Sequence, residues 1–309
     1  MTKVFIDGSA GTTGLRIKER FSERKDIELI SLPEELRKDT DARRDAINNS
    51  DITFLCLPDA AAIEAVGLCD NDSTVIIDTS TAHRTAKGWT YGFPELVGKE
   101  KIAASKRIAN PGCHASGFVA LIKPLREAGI LPANAYISCF SLTGYSGGGK
   151  GMIADYSSEE RSALLSAPRQ YGLTQQHKHL KEMAALCELE NAPAFCPIVG
   201  DFYSGMEVSI TLFSHQLNGS IEDIKRVYRE CYKGGMVSFR ENADENGFLS
   251  ASALSGRDDM EITVCGNDER ILLVARFDNL GKGASGSAIQ NMNILLGADE
   301  AAGLVKGEE

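Results

Sequence analysis

The sequence predicts an α/β protein of two domains. A doubly wound parallel sheet occupies residues 1–112, an α+β domain with a mixed or antiparallel sheet occupies 113–282, and a helical segment over 283–309 returns to the first domain. Three observations carry this. The chain opens on the strand-like run Lys3–Asp7, followed at once by the glycine-rich turn Gly8–Gly14 and an amphipathic stretch. Short apolar runs then alternate with amphipathic or polar segments to about residue 110, as parallel strands joined by crossover helices do. From Cys113 the pattern changes to a helix and then to strands of alternating type.

In the first domain, strands are expected at Lys3–Asp7, Glu28–Ser31, Ile52–Leu57, Val75–Asp78 and Lys101–Ala103, with Ile108–Ala109 leading to a cysteine corner. Helices are expected at 12–23, 41–48 and 59–69. This is the layout of a Rossmann-type domain. In the second domain, residues 113–128 read as a helix and Tyr136–Ser141 as a strand. Residues 206–215 form a strand with Val208, Ile210 and Leu212 on one face, and Ser220–Tyr232 a helix. Glu261–Gly266 and Arg270–Asp278 make a hairpin around Asn267-Asp268. The sheet offers a dimer interface, so a homodimer or homotetramer is expected. The tail Gly283–Leu296 is again helical, with Ala288, Met292 and Leu295 at helical spacing.

At 309 residues, 43% hydrophobic and 25% charged, the chain has the composition of a soluble globular protein. A net charge of −10 and a pI near 5.2 argue against a nucleic-acid surface, which needs a clustered basic excess. No apolar run is long enough to span a membrane. Strand-like residues begin at Val4, which leaves no room for a signal peptide and points to the cytoplasm. The eight cysteines are scattered without a CxxC pair, as reduced core residues are.

The motif Gly8-Ser9-Ala10-Gly11-Thr12-Thr13-Gly14 has GxxGxxG spacing between a strand and a helix, the context in which backbone N–H groups hold a pyrophosphate. Gly8 permits the turn, Gly11 close approach and Gly14 helix packing, while Thr12 and Thr13 add hydroxyls. A plain glycine turn is the alternative. The second strand ends at Ser31, where an NAD site usually has an acidic residue. With Arg37 and Lys38 just beyond, the site favours the 2′-phosphate of NADP, against the opposing signal of Glu34 and Glu35.

The tetrapeptide Asn110-Pro111-Gly112-Cys113 places a cysteine behind a rigid corner at a helix start, where the dipole and backbone N–H groups favour a thiolate. The pairing with the glycine turn suggests hydride transfer to or from a cysteine-bound acyl group. Candidate bases are the histidines 83, 114, 177, 179 and 215. His177 and His179 stand at an apparent helix start, and their spacing does not put both on one helical face as a zinc pair, so no metal is expected. The segment Thr143–Lys150 resembles a phosphate loop in composition but lacks GxxxxGK[ST] spacing, which rejects ATP hydrolysis. It reads equally as a glycine connection or as a substrate loop through Ser146 and Gly147. In Asp78–Arg84, at the carboxyl end of a strand, Arg84 is the first choice for an anionic substrate group.

Taken together, GSAGTTG at 8–14, DTSTAHR at 78–84, YGFPEL at 91–96, NPGC at 110–113, TGYSGGGK at 143–150, QQHKHLKEM at 175–183 and KGASGSAIQNMN at 282–293 resemble the N-acetyl-γ-glutamyl-phosphate reductases in their shorter form. The resemblance implies NADPH-dependent reduction of N-acetyl-γ-glutamyl phosphate to N-acetylglutamate semialdehyde with release of phosphate, in arginine biosynthesis. It implies Cys113 as nucleophile and His179, with His177 held open, as acid and base. Arg84, Asn110, Ser146 and Gly147 fall on the substrate side, and Ser285 and Gly286 border the nicotinamide. The family position after the cysteine is commonly aromatic, and this chain has His114 there. Two other readings stand beside this one: the same chemistry on a related acyl phosphate such as aspartyl phosphate, and a non-catalytic NADP-binding sensor.

Overall fold

A computed structural model of the chain describes residues 1–307. Two compact units emerge: residues 1–112 with 284–304, and residues 113–283 with the tail from Val305.

The first unit holds a parallel sheet of β1 (Thr2–Asp7), β2 (Ile27–Ile30), β3 (Ile52–Leu55), β4 (Val75–Asp78), β5 (Thr90–Tyr91) and β6 (Arg107–Ala109), in the order β2-β1-β3-β4-β6-β5. The order reverses at β1, so a crevice is expected outside its carboxyl end. Both faces are apolar and both are covered, which is why these strands are nearly continuous hydrophobic runs. Val4, Ile6, Phe54 and Ile77 pack with Ile17 and Phe21 of α1 (Thr12–Phe21) and with Ala288, Ile289 and Met292 of the helix Gly286–Leu295. Phe5, Leu55 and Ile76 pack on the other face with Ala46 and Ile47 of α2 (Thr40–Asn48) and Ala62 and Ala65 of α3 (Asp59–Gly67).

One expected strand is a helix. Residues 101–103 fall in α5 (Lys99–Ala103), directly after α4 (Pro94–Val97), with Gly98 at φ +91° between them. Only Ile102 of this run is buried, and a single apolar contact per turn suits a helix better than a strand's alternation. The pairing partner of β4 is Arg107–Ala109 instead.

The second unit begins with α6 (Cys113–Glu127), followed by β7 (Ser138–Gly144), α7 (Gly149–Ser157), β8 (Arg169–Gln170), α8 (Leu180–Leu186), β9 (Ala194–Gly200), β10 (Met206–Phe213) and α9 (Ile221–Cys231). It closes with β11 (Lys233–Gly234), β12 (Val237–Phe239), β13 (Met260–Gly266) and β14 (Arg270–Phe277). The strands form one mixed sheet, β11-β12-β13-β14-β10-β7-β9-β8, in which β7–β9 and β12–β13 are parallel and the other pairs antiparallel. The strand expected at 136–141 lies further along at Ser138–Gly144, because Tyr136 is 80% exposed and outside the ladder. Strand β9 is not announced by the sequence, since Pro197 breaks its pattern. The last described residues join this unit, where Asp258 N–H donates to the Val305 carbonyl at 2.6 Å.

Helix α6 lies close on the sheet because Gly117 has no side chain. A Cβ there would stand 2.5 Å from Val208 Cγ2 and 2.9 Å from Phe277 Cε1. Pro124, inside the same helix, cannot donate to the Ala120 carbonyl. Tyr232 Oη, just past α9, donates to it instead at 2.6 Å, and Tyr228 Oη of α9 donates to the neighbouring Leu121 carbonyl at 2.5 Å.

These glycines make a paired prediction. Gly117→Ala should destabilise the protein by roughly 1–3 kcal/mol through overpacking, although alanine is the better helix former. Gly67→Ala in α3, where an added Cβ meets nothing within 4 Å, should stabilise by roughly 0.5–1 kcal/mol. Thermal unfolding followed by circular dichroism reads both, and a Gly117→Ala protein as stable as the parent would contradict the packing described.

Candidate active site

In the first unit the glycine turn follows β1 at the reversal point of the sheet. Gly8 sits at φ +85°, and a Cβ there would run into the Cys56 carbonyl; one on Gly14 would stand 2.6 Å from the Gly8 carbonyl. The turn closes by Gly11 N–H donating to Gly8 O at 3.0 Å. Gly11 caps α1 without a side-chain acceptor, which leaves the first-turn N–H groups available to an anion. Beside the turn lies a cavity of about 420 Å³ lined by Gly8, Ser9, Leu32 and Ser31, and by Arg37 and Lys38 together with Glu34 and Glu35. Asp7 also reaches it, with its carboxylate engaged by buried Arg43 through Nε at 3.0 Å; burial pushes the Asp7 carboxyl up against the pull of that guanidinium. Gly11, Thr12, Thr13 and Gly14 form the turn and helix start rather than the cavity wall. A glycine cradle that excludes side chains and a cavity with a hydroxyl and two cations beyond the second strand fit a dinucleotide carrying an extra phosphate.

Arg84 and Asn110 have structural duties in this unit that the sequence did not indicate. Arg84 is 8% exposed; its Nε donates to the Asn110 carbonyl at 2.9 Å and one terminal nitrogen donates to the Thr79 carbonyl at 3.0 Å. Asn110 Nδ2 donates to the Ala284 carbonyl at 2.9 Å. These bonds fix the residues that lead into the Pro-Gly corner. Ser285 and Gly286 are buried at the start of the helix Gly286–Leu295. His83 stacks on Trp89 with ring centroids 4.0 Å apart, its Nδ1 2.6 Å from buried Asp78, and so belongs to the turn after β4.

The second unit carries the candidate nucleophile. Cys113 is the first residue of α6 and is partly exposed, as a reactive thiol must be. Gly283 lies against it, since a Cβ there would come within 3.1 Å of Cys113 Cβ. The turn that brings Gly283 there is built on buried Asp278, which accepts from Ser204 Oγ and from the N–H groups of Gly256, Leu280 and Gly281. Its neighbour Asn279 donates through Nδ2 to Ser146 Oγ at 3.0 Å and accepts from Gly205 N–H at 3.0 Å. Ser146 and Gly147 are thereby held at the same turn, in a 3-10 segment before α7 and not in a loose glycine connection.

Around the start of α6 the rings gather. His114 is buried, with Nδ1 2.7 Å from Ser141 Oγ and Nε2 2.7 Å from Tyr171 Oη. Its ring centroid lies 5.6 Å from those of both His177 and His179 and 5.3 Å from that of Phe195. Burial, then the charges of His177 and Lys178, push His114 down to about 3, so it stays neutral and is no base at ordinary pH. His177 is also pushed down, by burial and by Lys178. Its Nδ1 accepts from the backbone N–H of His179 at 3.2 Å, which puts the neutral ring's proton on Nε2 and makes it a donor rather than a base. His179 is buried at the N-cap of α8, 4% exposed. Helix α8 itself begins at Leu180, one residue past the pair.

The structure therefore brings together His114, His177 and His179 in one ring cluster with Tyr171, beginning at the residue after Cys113, and ties Ser146 to the turn that carries Gly283 against Cys113. Sequence reasoning missed Ser141, Tyr171, Asn279 and Gly283. It also missed Glu182, a carboxylate 3% exposed three residues after His179. For Ser141 and Glu182 a signal existed: a hydroxyl at an inward strand position between Cys139 and Thr143, and an acidic residue at i+3. Tyr171, Asn279 and Gly283 reach the cluster only through tertiary structure.

Residues 5–105 match the family described as semialdehyde dehydrogenase, NAD binding domain, and residues 113–279 the semialdehyde dehydrogenase, dimerisation domain. The chain is 46% identical over 318 residues to N-acetyl-gamma-glutamyl-phosphate reductase 2 of Nostoc sp., covering 98% of this chain and 99% of that protein. It is 45% identical over 306 residues to N-acetyl-gamma-glutamyl-phosphate reductase of Brucella canis, with 96% and 99% covered. Among solved structures, aspartate semialdehyde dehydrogenase II of Vibrio cholerae superposes with a TM-score of 0.71 at 16% identity, over 96% of this chain and 98% of that one. The enzyme of Francisella tularensis gives 0.71 at 17%, over 96% and 100%, and at such identities the likeness is one of fold. The chain belongs to the N-acetyl-γ-glutamyl-phosphate reductase family, within the semialdehyde dehydrogenases.

Proposed function

We propose that this protein reduces N-acetyl-γ-glutamyl phosphate to N-acetyl-L-glutamate 5-semialdehyde with NADPH, releasing phosphate, as a cytoplasmic step of arginine biosynthesis. The observation that carries the reading is a partly exposed cysteine at the head of α6, followed directly by His114, whose ring packs with those of His177 and His179; the base's role is assigned to His179. Gly8 and Ser9 would cradle the pyrophosphate, and Ser31, Arg37 and Lys38 the 2′-phosphate. Bound there, the reduced nicotinamide supplies a hydride.

The chain's own residues do the rest. His179 takes the thiol proton, and the Cys113 sulfur attacks the acyl carbon. The carbon–oxygen bond to phosphate breaks, phosphate leaves, and a thioester remains on Cys113. First-turn N–H groups of α6 face the carbonyl oxygen as charge builds on it. After reduction, His179 returns its proton to the departing sulfur as the carbon–sulfur bond breaks and the aldehyde is released. Ser146, held by Asn279, and Gly147 border the acyl group. A homodimer or homotetramer would cover the open face of the mixed sheet with a second copy; the exposure of Phe140 and Phe213 there, 48% and 44%, supports this reading.

The direct test runs the reaction backwards. NADP+ should be reduced with N-acetylglutamate semialdehyde plus phosphate far faster than with aspartate semialdehyde, and faster than NAD+. Equal rates on the two aldehydes would contradict the substrate, and an NAD+ preference would show that Glu34 or Glu35 sets the cofactor.

The roles of the two histidines separate by substitution. His179→Asn should lower kcat by roughly 10²–10⁴, the usual contribution of a positioned acid–base group. His177→Asn should cost clearly less, because that ring's Nδ1 is occupied by the His179 backbone N–H. A larger loss in His177→Asn would exchange the roles.

A further inference from the structure

Buried hydroxyl and imidazole groups must place their hydrogens somewhere, and that requirement orients a chain of three residues next to the nucleophile. Ser141 Oγ is fully buried on β7, and among the described residues its side chain has one hydrogen-bond partner, His114 Nδ1 at 2.7 Å. If Nδ1 carried the proton, the Ser141 hydrogen would have no acceptor, a costly state for a buried hydroxyl. Ser141 therefore donates and Nδ1 accepts. The neutral ring then carries its proton on Nε2, and Nε2–H donates to Tyr171 Oη at 2.7 Å. That leaves the phenol's own hydrogen directed away from His114, with no acceptor for it among the described residues.

We propose that Tyr171 is a further catalytic residue, donating its phenol hydrogen to the carbonyl oxygen of the acyl group on Cys113, with His114 and Ser141 as the positioning residues that aim it. The inference rests on the reductase reading above and adds a side-chain donor to it.

Three observations support the placement. Tyr171 is anchored by its own N–H donating to the Pro197 carbonyl at 3.0 Å, just past β8. Its ring packs against those of His114 and His177, 6.1 and 6.0 Å between centroids, so it belongs to the cluster beside Cys113. Burial, with the nearby Cys113 sulfur, raises its pKa, which keeps it a phenol and a donor. His114, the residue after Cys113, is what makes the relay possible in this chain.

The test combines a direct view of the ring with a double-mutant cycle. Nitrogen-15 NMR of the full-length protein should show His114 with Nδ1 unprotonated and Nε2 protonated; the opposite tautomer would overturn the relay without any activity measurement. Tyr171→Phe should lower kcat with N-acetyl-γ-glutamyl phosphate by roughly 10²-fold, the scale of one oxyanion donor, with KM for NADPH unchanged. Ser141→Ala lets the imidazole proton move to Nδ1 and Tyr171 donate back to Nε2, so it should lower kcat severalfold with Tyr171 present and change nothing further in Tyr171→Phe. Additive losses, or a Tyr171→Phe enzyme at parental kcat, would overturn the proposal. Should Ser141→Ala not fold, Tyr171→Phe and the NMR tautomer decide it. A parent enzyme without turnover overturns the reductase reading and this inference together, whereas an active parent with a silent Tyr171→Phe overturns this inference alone.

Discussion

The arrangement around the start of α6 depends on keeping one histidine neutral inside the second unit. His114 follows Cys113 and is 3% exposed, and both of its ring nitrogens are bonded to hydroxyls. A charged imidazolium would need two acceptors where Ser141 has a hydrogen to donate, so burial and hydrogen bonding act in the same direction. The ring joins α6 to β7 on one side and to the segment after β8 on the other. His177 and His179 pack against it, and their own link through the His179 backbone N–H gives the pair different chemistry. Remove the neutral ring and the cluster loses the common wall on which Tyr171, His177 and His179 rest.

The approach to Cys113 is fixed by polar contacts more than by packing. Arg84 uses Nε and a terminal nitrogen on two backbone carbonyls, and Asn110 reaches Ala284. A guanidinium held this way is a brace for the corner that the chain turns before α6. Within the second unit, Asp278 and Asn279 collect backbone N–H groups and Ser146, and so set the turn that carries Gly283 against Cys113. Bonds of this kind between buried polar groups favour a single geometry.

Much of the fold was legible in the sequence because its signals are local. The glycine turn, the alternating strands and the hairpin around Asn267 follow from turn chemistry and side-chain period, and they fall within a few residues of their expected places. The segment Lys99–Ala103 was not, since a lone buried isoleucine carries too little pattern to separate a helical turn from a short strand. Of the site, Cys113 and the His177/His179 pair could be picked out from residue type and context. What Arg84 and Asn110 do could not, because their partners Asn110, Thr79 and Ala284 are backbone carbonyls, and a carbonyl has no sequence signature. Tyr171 and Asn279 likewise matter through bonds to residues 57 and 133 positions away.

The central claim is that an acyl group passes through Cys113 and through no other thiol of the chain. Mixing the protein with N-acetyl-γ-glutamyl phosphate in the absence of NADPH, quenching in acid and mapping the peptides by mass spectrometry tests it most directly. An N-acetylglutamyl adduct is expected on the peptide holding Cys113, discharged when NADPH is added before the quench. An adduct on another cysteine, or turnover with no acylated Cys113 at any time, would contradict it.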